Sequence, residues 1–241
     1  KGHEILLVTS GAVASGRSEL TLKKESKTIP FKHALAAVGQ GVLMNTYRDE
    51  FKKFDIKVAQ ALLTSQDFHD RTSYITVRNT LELLIEMGVL PIANENDVTT
   101  LAELTFSSND ILSAFIASMI GADLLLILSD VEGLYDKNPQ LHDDAKLLKE
   151  IEEINEDVLN YTEDSANKIS KGGMIAKLEA AAFASKSGVN VAIASGKEEN
   201  IINGVVEEQY KDFTLIKAQC TKKESRKNWL QAQVKESTSI S

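Results

Sequence analysis

Three stretches with helical periodicity end in the same way. Met87-Gly88-Val89, Ile120-Gly121-Ala122 and Ser187-Gly188-Val189 each place a glycine between the last helical turn and the next segment of chain. A helix C-terminus favours a residue with left-handed backbone, and glycine adopts that conformation with no Cβ penalty. Between the helices lie short apolar runs: residues 4–10 (EILLVTS), 58–63 (VAQALL), 89–94 (VLPIAN), 123–129 (DLLLILS) and 190–195 (NVAIAS). They are β-branched or Leu-rich and nearly continuous, the pattern of strands covered on both faces. Helices are predicted at about residues 31–54, 74–88, 110–121 and 173–188. Strands and helices alternating at this spacing predict an α/β fold, with a mainly parallel central sheet between two helical layers in a three-layer αβα sandwich. In such folds ligands bind beyond the C-terminal ends of the strands.

Composition removes several classes of function. The 241 residues are 43% hydrophobic, enough for one large core, or one core and a small appendage. A net charge of −8 argues against a general nucleic-acid surface. It does not argue against a nucleotide site, which needs only local backbone amides and one or two lysines. No apolar run reaches the length of a membrane span, and no signal-peptide pattern opens the sequence. The single cysteine, Cys220, has no internal disulfide partner, so a reducing, cytoplasmic setting is expected. The four histidines are scattered without metal-ligand spacing. GxxxxGK[ST], GxGxxG at a strand–helix turn and GxSxG are absent, which argues against P-loop, dinucleotide-binding and serine-hydrolase chemistry.

The strand-end loops carry the functional signal. Thr9-Ser10-Gly11-Ala12 combines small side chains with a glycine at a helix start, which suits close approach of a ligand to backbone amides; it also describes an ordinary capped turn. Asn94-Glu95-Asn96-Asp97 crowds two amides and two carboxylates at one strand end, where they suit the ammonium and carboxylate groups of a polar ligand. An Asx-rich turn is the other reading. Ser107-Ser108-Asn109-Asp110 precedes a helix, as a plain N-cap or as an anion-binding start with Asp110 orienting lysines. Ser129-Asp130 ends the most apolar strand and is followed by Gly133, a pattern suited to a nucleotide-edge loop. Lys171-Gly172-Gly173-Met174-Ile175-Ala176-Lys177 is read as opening a helix with amides available to a phosphate, and Lys177 one turn further on as the cation that meets a transferred phosphoryl group. A glycine hinge with a surface lysine fits the same residues.

Taken in order, these loops resemble the glutamate 5-kinases of the amino-acid-kinase family. The matching stretches are VTSGAVASGR (8–17), ALAAVGQGVLM (34–44), AQALLT (59–64), RNTLELLIEMGVLPIANEND (78–97), NDILSA (109–114), GADLLLILSDVEGLYDKNP (121–139) and GGMIAKLEAA (172–181). The resemblance covers about residues 4–215. It implies the amino-acid-kinase fold and ATP-dependent phosphorylation of the γ-carboxylate of L-glutamate, the first step towards proline. By matching position, Ser10, Asp97 and Asn109 contact glutamate, Ser129, Asp130 and the segment from Lys171 to Lys177 hold the nucleotide, Lys177 and Asp110 are catalytic, and Mg²⁺ bridges ATP phosphates. Feedback inhibition by proline and homo-oligomerisation are further traits of the family.

The sequence also departs from the family pattern. A first strand with a Lys-x-Gly-Ser/Thr loop would precede residue 1, so the chain is expected to be a kinase domain at residues 1–218 with its first strand missing. A polar tail at 219–241 contains Ser225-Arg226-Lys227-Asn228-Trp229, which resembles the start of a truncated PUA domain. Ser108 stands where the family has a carboxylate, and Ser170, Lys171 and Ala176 replace residues of its Gly-Thr-Gly-Gly-Met-x-Thr-Lys loop. These substitutions motivate a second reading, a degenerate domain that binds amino acid or nucleotide without turnover.

Overall fold

A computed structural model describes residues 2–21, 26–100, 106, 108–137, 139, 141–155, 158 and 168–221, with the backbone alone for 168–172. The expectations placed on Ser107 and on the 225–229 tail lie outside the described residues. The chain divides into two compact units, Lys1–Leu112 and Ser113–Ser241.

The first unit contains β1 (Leu7–Val8), α1 (Ala12–Glu19), α2 (Ile29–Lys52), β2 (Lys57–Leu63), α3 (Gln66–His69), α4 (Arg71–Glu86), β3 (Val89–Glu95) and the start of α5 (Asn109–Ile120). Its sheet is parallel, in the order β1-β3-β2. β3 is central and the most buried of the three: Pro91, Ile92, Ala93 and Asn94 are all buried. Its C-terminal residues Asn94 and Glu95 pair with Leu62 and Leu63, which brings both strand ends to one rim. The strand expected over 4–10 is only two residues long. β3 offers it ladder partners at Ile92 and Ala93, and Ile5 beyond them is 57% exposed.

The second unit contains β4 (Leu124–Ser129), β5 (Glu150–Ile151), α6 (Lys168–Lys186), β6 (Asn190–Ser195), α7 (Ile201–Val206) and β7 (Thr214–Ile216). The strand order is β4-β6-β7-β5, with one antiparallel pair, β6 and β7, in an otherwise parallel sheet. Val191, Ala192, Ile193 and Ala194 of β6 and Leu178, Ala180, Ala181 and Ala184 of α6 are fully buried. The alanines, on one face of α6, give it a flat surface to bury. Phe115 of α5 stacks on Phe183 of α6 with ring centroids 4.3 Å apart.

All three expected helix-ending glycines take left-handed backbone, with φ of 69°, 66° and 81° at Gly88, Gly121 and Gly188. At the last two, the next residue's amide reaches back to close the helix end, Ala122 to the Ala117 carbonyl (2.9 Å) and Val189 to that of Ala184 (3.0 Å).

Candidate functional site

The first unit holds a cleft of about 460 Å³ at the C-terminal ends of β1 and β3, lined by Ser10, Gly11, the first turn of α1, Arg17, Asn94, Glu95, Asp97, Phe106, Ser108 and Asn109. Gly11, at φ 109°, turns the chain from β1 into α1, and no side chain caps that helix start. The first-turn amides of α1 therefore face the cleft from the positive end of a helix, a setting that favours a carboxylate or phosphate. α1 is seated against α2 by glycines. A Cβ at Gly16 would collide with the Leu35 carbonyl, and one at Gly39 with the Ala12 carbonyl.

One hydrogen-bonded line crosses the cleft wall. Asn109 Nδ2 donates to the Thr9 carbonyl (2.7 Å) and to Asn94 Oδ1 (3.0 Å). Asn94 Oδ1 also accepts from the Glu95 amide (2.8 Å), and Asn94 Nδ2 donates to Gln40 Oε1 (2.9 Å). The Thr9 hydroxyl meets Tyr47 OH at 2.7 Å. Ser108 is the N-cap of α5, its hydroxyl accepting from the Ile111 amide at 3.4 Å. The capping role that the sequence left open at 107–110 thus falls on Ser108, and Asn109 is held by other contacts.

Glu95 and Asp97 give the cleft its charge. Burial raises the Glu95 carboxyl above its ordinary range and nearby Asp97 adds to the rise, against a hydrogen bond from the Phe106 amide (3.0 Å) that lowers it. Burial raises Asp97 as well, partly opposed by His33. Two carboxylates that lose hydration would be stabilised in their charged form by a cation such as an ammonium group. With α1 amides and Arg17 also lining the cleft, the arrangement suits a zwitterion. Ser10, Asp97 and Asn109, all singled out from sequence, line this one cleft; Asp110 follows Asn109 in the first turn of α5. Arg17 and Gln40 were missed. Both lie within stretches quoted for the family likeness, but neither stands out by residue type alone.

In the second unit, Ser129 and Ser195 end adjacent strands in register. The Ser129 hydroxyl donates to Asp130 Oδ1 (3.3 Å), the Gly196 amide to the Ser129 carbonyl (2.8 Å) and Lys197 Nζ to the Asp130 carbonyl (3.2 Å). Sequence reasoning found Ser129 and Asp130 but passed over Ser195, Gly196 and Lys197 on the partner strand. The segment from Lys171 to Lys177 differs from expectation in one respect. α6 starts at Lys168, so Gly172 and Gly173 fall in its second turn. Their amides lie within the helical ladder, and the amides without intrahelical partners belong to the residues before Gly172. Lys177 is partly buried on α6.

The fold and the cleft define an α/β protein with a polar cleft at its strand ends. A family model described as the amino acid kinase family matches residues 1–195. A glutamate 5-kinase of Dehalococcoides mccartyi (strain ATCC BAA-2266 / KCTC 15142 / 195) is 45% identical over 232 residues, covering 95% of this chain and 62% of that protein. One of Clostridium acetobutylicum is 42% identical over 206 residues, covering 86% and 77% respectively. A crystal structure of the T. acidophilum isopentenyl phosphate kinase product complex shares the fold, with a TM-score of 0.58 at 16% identity over 88% of this chain and 82% of that one. The chain belongs to the amino acid kinase family, and the α/β class read from its strand and helix pattern is borne out. It spans 62% of the Dehalococcoides protein's length. Among the described residues no helix is long and apolar enough to cross a membrane.

Proposed function

We propose that this chain is the kinase portion of a cytoplasmic glutamate 5-kinase, transferring the γ-phosphoryl group of ATP to the γ-carboxylate of L-glutamate to give L-glutamyl 5-phosphate for proline synthesis. The observation that carries this reading is the cleft in which Ser10, Asp97 and Asn109 stand together beside the uncapped start of α1. The acceptor ammonium pairs with Asp97 and Glu95, and Asn109 and Ser10 orient the amino-acid backbone. Ser129, Asp130 and the segment from Lys171 to Lys177 hold ATP.

A γ-carboxylate oxygen attacks the γ-phosphorus, the bond to the β,γ-bridging oxygen breaks, and ADP leaves with that electron pair. The acceptor is already ionised at neutral pH, so no general base is required; catalysis rests on alignment and on cations facing the charge of the transition state. Lys177 supplies one such cation and Asp110 orients the lysines. Mg²⁺ bound with ATP would neutralise phosphate charge. Proline acting at or near the acceptor cleft, assembly into homo-oligomers and a kinase domain ending near residue 218 belong to the same reading.

The test uses full-length protein with ATP, Mg²⁺ and L-glutamate. The expected result is glutamate-dependent ADP release and an acyl phosphate trapped by hydroxylamine as the hydroxamate. Binding of glutamate and ATP by calorimetry without either product would replace this reading with the binding-only one. Preference for another acceptor in a panel of amino acids and phosphates would move the chain elsewhere within the family.

A further inference from the structure

Gln40 lies on α2, outside the acceptor cleft. It borders instead a neighbouring cavity of about 300 Å³ that shares Glu95 and Asp97 with that cleft. It nevertheless ends the hydrogen-bonded line that holds both cleft asparagines. Two backbone groups whose roles cannot be exchanged anchor that line: the Thr9 carbonyl only accepts, and the Glu95 amide only donates. The first assigns Nδ2 of Asn109, and the second assigns Oδ1 of Asn94. Asn109 thereby commits both Nδ2 hydrogens to the protein and keeps Oδ1 as its group for a ligand. Asn94 must send its own Nδ2 elsewhere, and Gln40 Oε1 receives it at 2.9 Å. At 3% exposure Asn94 cannot readily exchange that partner for bulk water.

The other end of Gln40 shows which atom the fold uses. Its Nε2 is buried without a partner among the described residues. An apolar side chain would fill the same space with no unpaired donor, so the amide is tolerated for its oxygen. Gly39 beside it presses α2 against α1 backbone to backbone, which leaves Gln40 little freedom to withdraw.

We infer that Gln40 is a positioning residue for the acceptor site: through Asn94 it holds Asn109 in the one amide orientation an amino-acid acceptor meets, without touching the acceptor. This rests on the proposed reading of the cleft, so the experiment needs one readout that involves no substrate.

Full-length Gln40→Leu and Gln40→Glu proteins separate the oxygen from the shape, with Gln40→Met as a closer isostere should the leucine variant melt early. Gln40→Leu should raise the KM for glutamate about tenfold while leaving the KM for ATP unchanged. Gln40→Glu keeps an acceptor oxygen but adds a carboxyl beside Glu95 and Asp97, so it should raise the glutamate KM less than Gln40→Leu does. Without substrate, the side-chain amide hydrogens of Asn94 and Asn109 should exchange slowly in wild type and Gln40→Glu, and faster in Gln40→Leu. Equal impairment of the two variants, or Gln40→Leu with unaltered amide exchange, overturns the inference. Wild-type protein that fails to turn over glutamate overturns the functional reading instead, and the exchange measurement still decides on Gln40.

Discussion

Gly16 of α1 and Gly39 of α2 face each other where the two helices touch backbone to backbone. A Cβ on either glycine would enter the other helix's main chain, at the Leu35 carbonyl for Gly16 and at the Ala12 carbonyl for Gly39. The obstacle is backbone, which cannot move aside as a flexible side chain would. Gly39→Ala should therefore cost at least about 2 kcal/mol, seen as a lower urea midpoint at unchanged slope. Gly41→Ala is the control, because it sits on the same helix with open space around it. It should be neutral, or stabilising by up to about 1 kcal/mol, through its better helix propensity. Equal losses in both variants would mean that the helices are not held by this contact.

Ser108 caps α5 through a long bond to the Ile111 amide. Ser108→Ala should cost about 0.5–1 kcal/mol, the lower half of the usual range for a lost cap. Ser108→Asp, the residue type the family carries there, keeps the cap and places a negative charge at the helix start, where it is favoured. The same charge joins Glu95 and Asp97 on the cleft wall. Ser108→Asp is thus expected to raise thermal stability slightly and to alter glutamate KM more than ATP KM. Thermal melts beside steady-state kinetics separate the two effects.

The cleft carboxyls set a pH dependence whose sign is fixed by their direction of shift. Burial raises both Glu95 and Asp97, so the folded protein holds these protons more tightly than the unfolded chain. Stability from this source is full below the unfolded value, near about pH 4, and is lost as pH rises through the folded value. Glu95→Gln removes the buried charge and keeps an oxygen for the Phe106 amide. The variant should be more stable than wild type at pH 7, and its advantage should shrink towards pH 4. Urea midpoints across that interval test it, and a variant less stable at neutral pH would contradict the burial argument. The ligand side runs the other way: an ammonium group needs both carboxylates ionised, so glutamate affinity should fall on acidification.

What the sequence made legible divides along physical lines. Gly88, Gly121 and Gly188 were readable because a left-handed helix end strongly selects one residue type. The strand at 190–195 matches its prediction because its interior, Val191 to Ala194, is buried and apolar throughout. β5 and β7, of two and three residues, are too short for any periodicity to mark. The start of α6 was misplaced because a glycine pair usually stops helical propensity, and here tertiary packing of the alanine face carries the helix through it. Ser10, Asp97 and Asn109 showed as polar residues just past apolar strands or at a helix start. Gln40 did not, since one amide among the turns of a long helix looks like solvent-facing surface until Asn94 is placed beside it.

Lys177 offers the sharpest separation of binding from turnover. It is the tenth residue of α6, beyond the turn whose free amides could assist an anion, so its contribution must come from its own charge. A cation that meets charge developing only in the transition state affects kcat while leaving ground-state binding nearly unchanged. Lys177→Met should lower kcat by about 10²–10³, the loss typical of removing one preorganised stabilising group. Glutamate affinity, measured by calorimetry, should stay within about threefold of wild type, since the proposed acceptor site lies in the first unit's cleft. Lys177→Arg keeps the charge with a different reach and should recover part of the rate. A Met variant with wild-type kcat and a raised KM for ATP would make Lys177 a nucleotide-binding residue only, and the catalytic cation would have to be sought elsewhere.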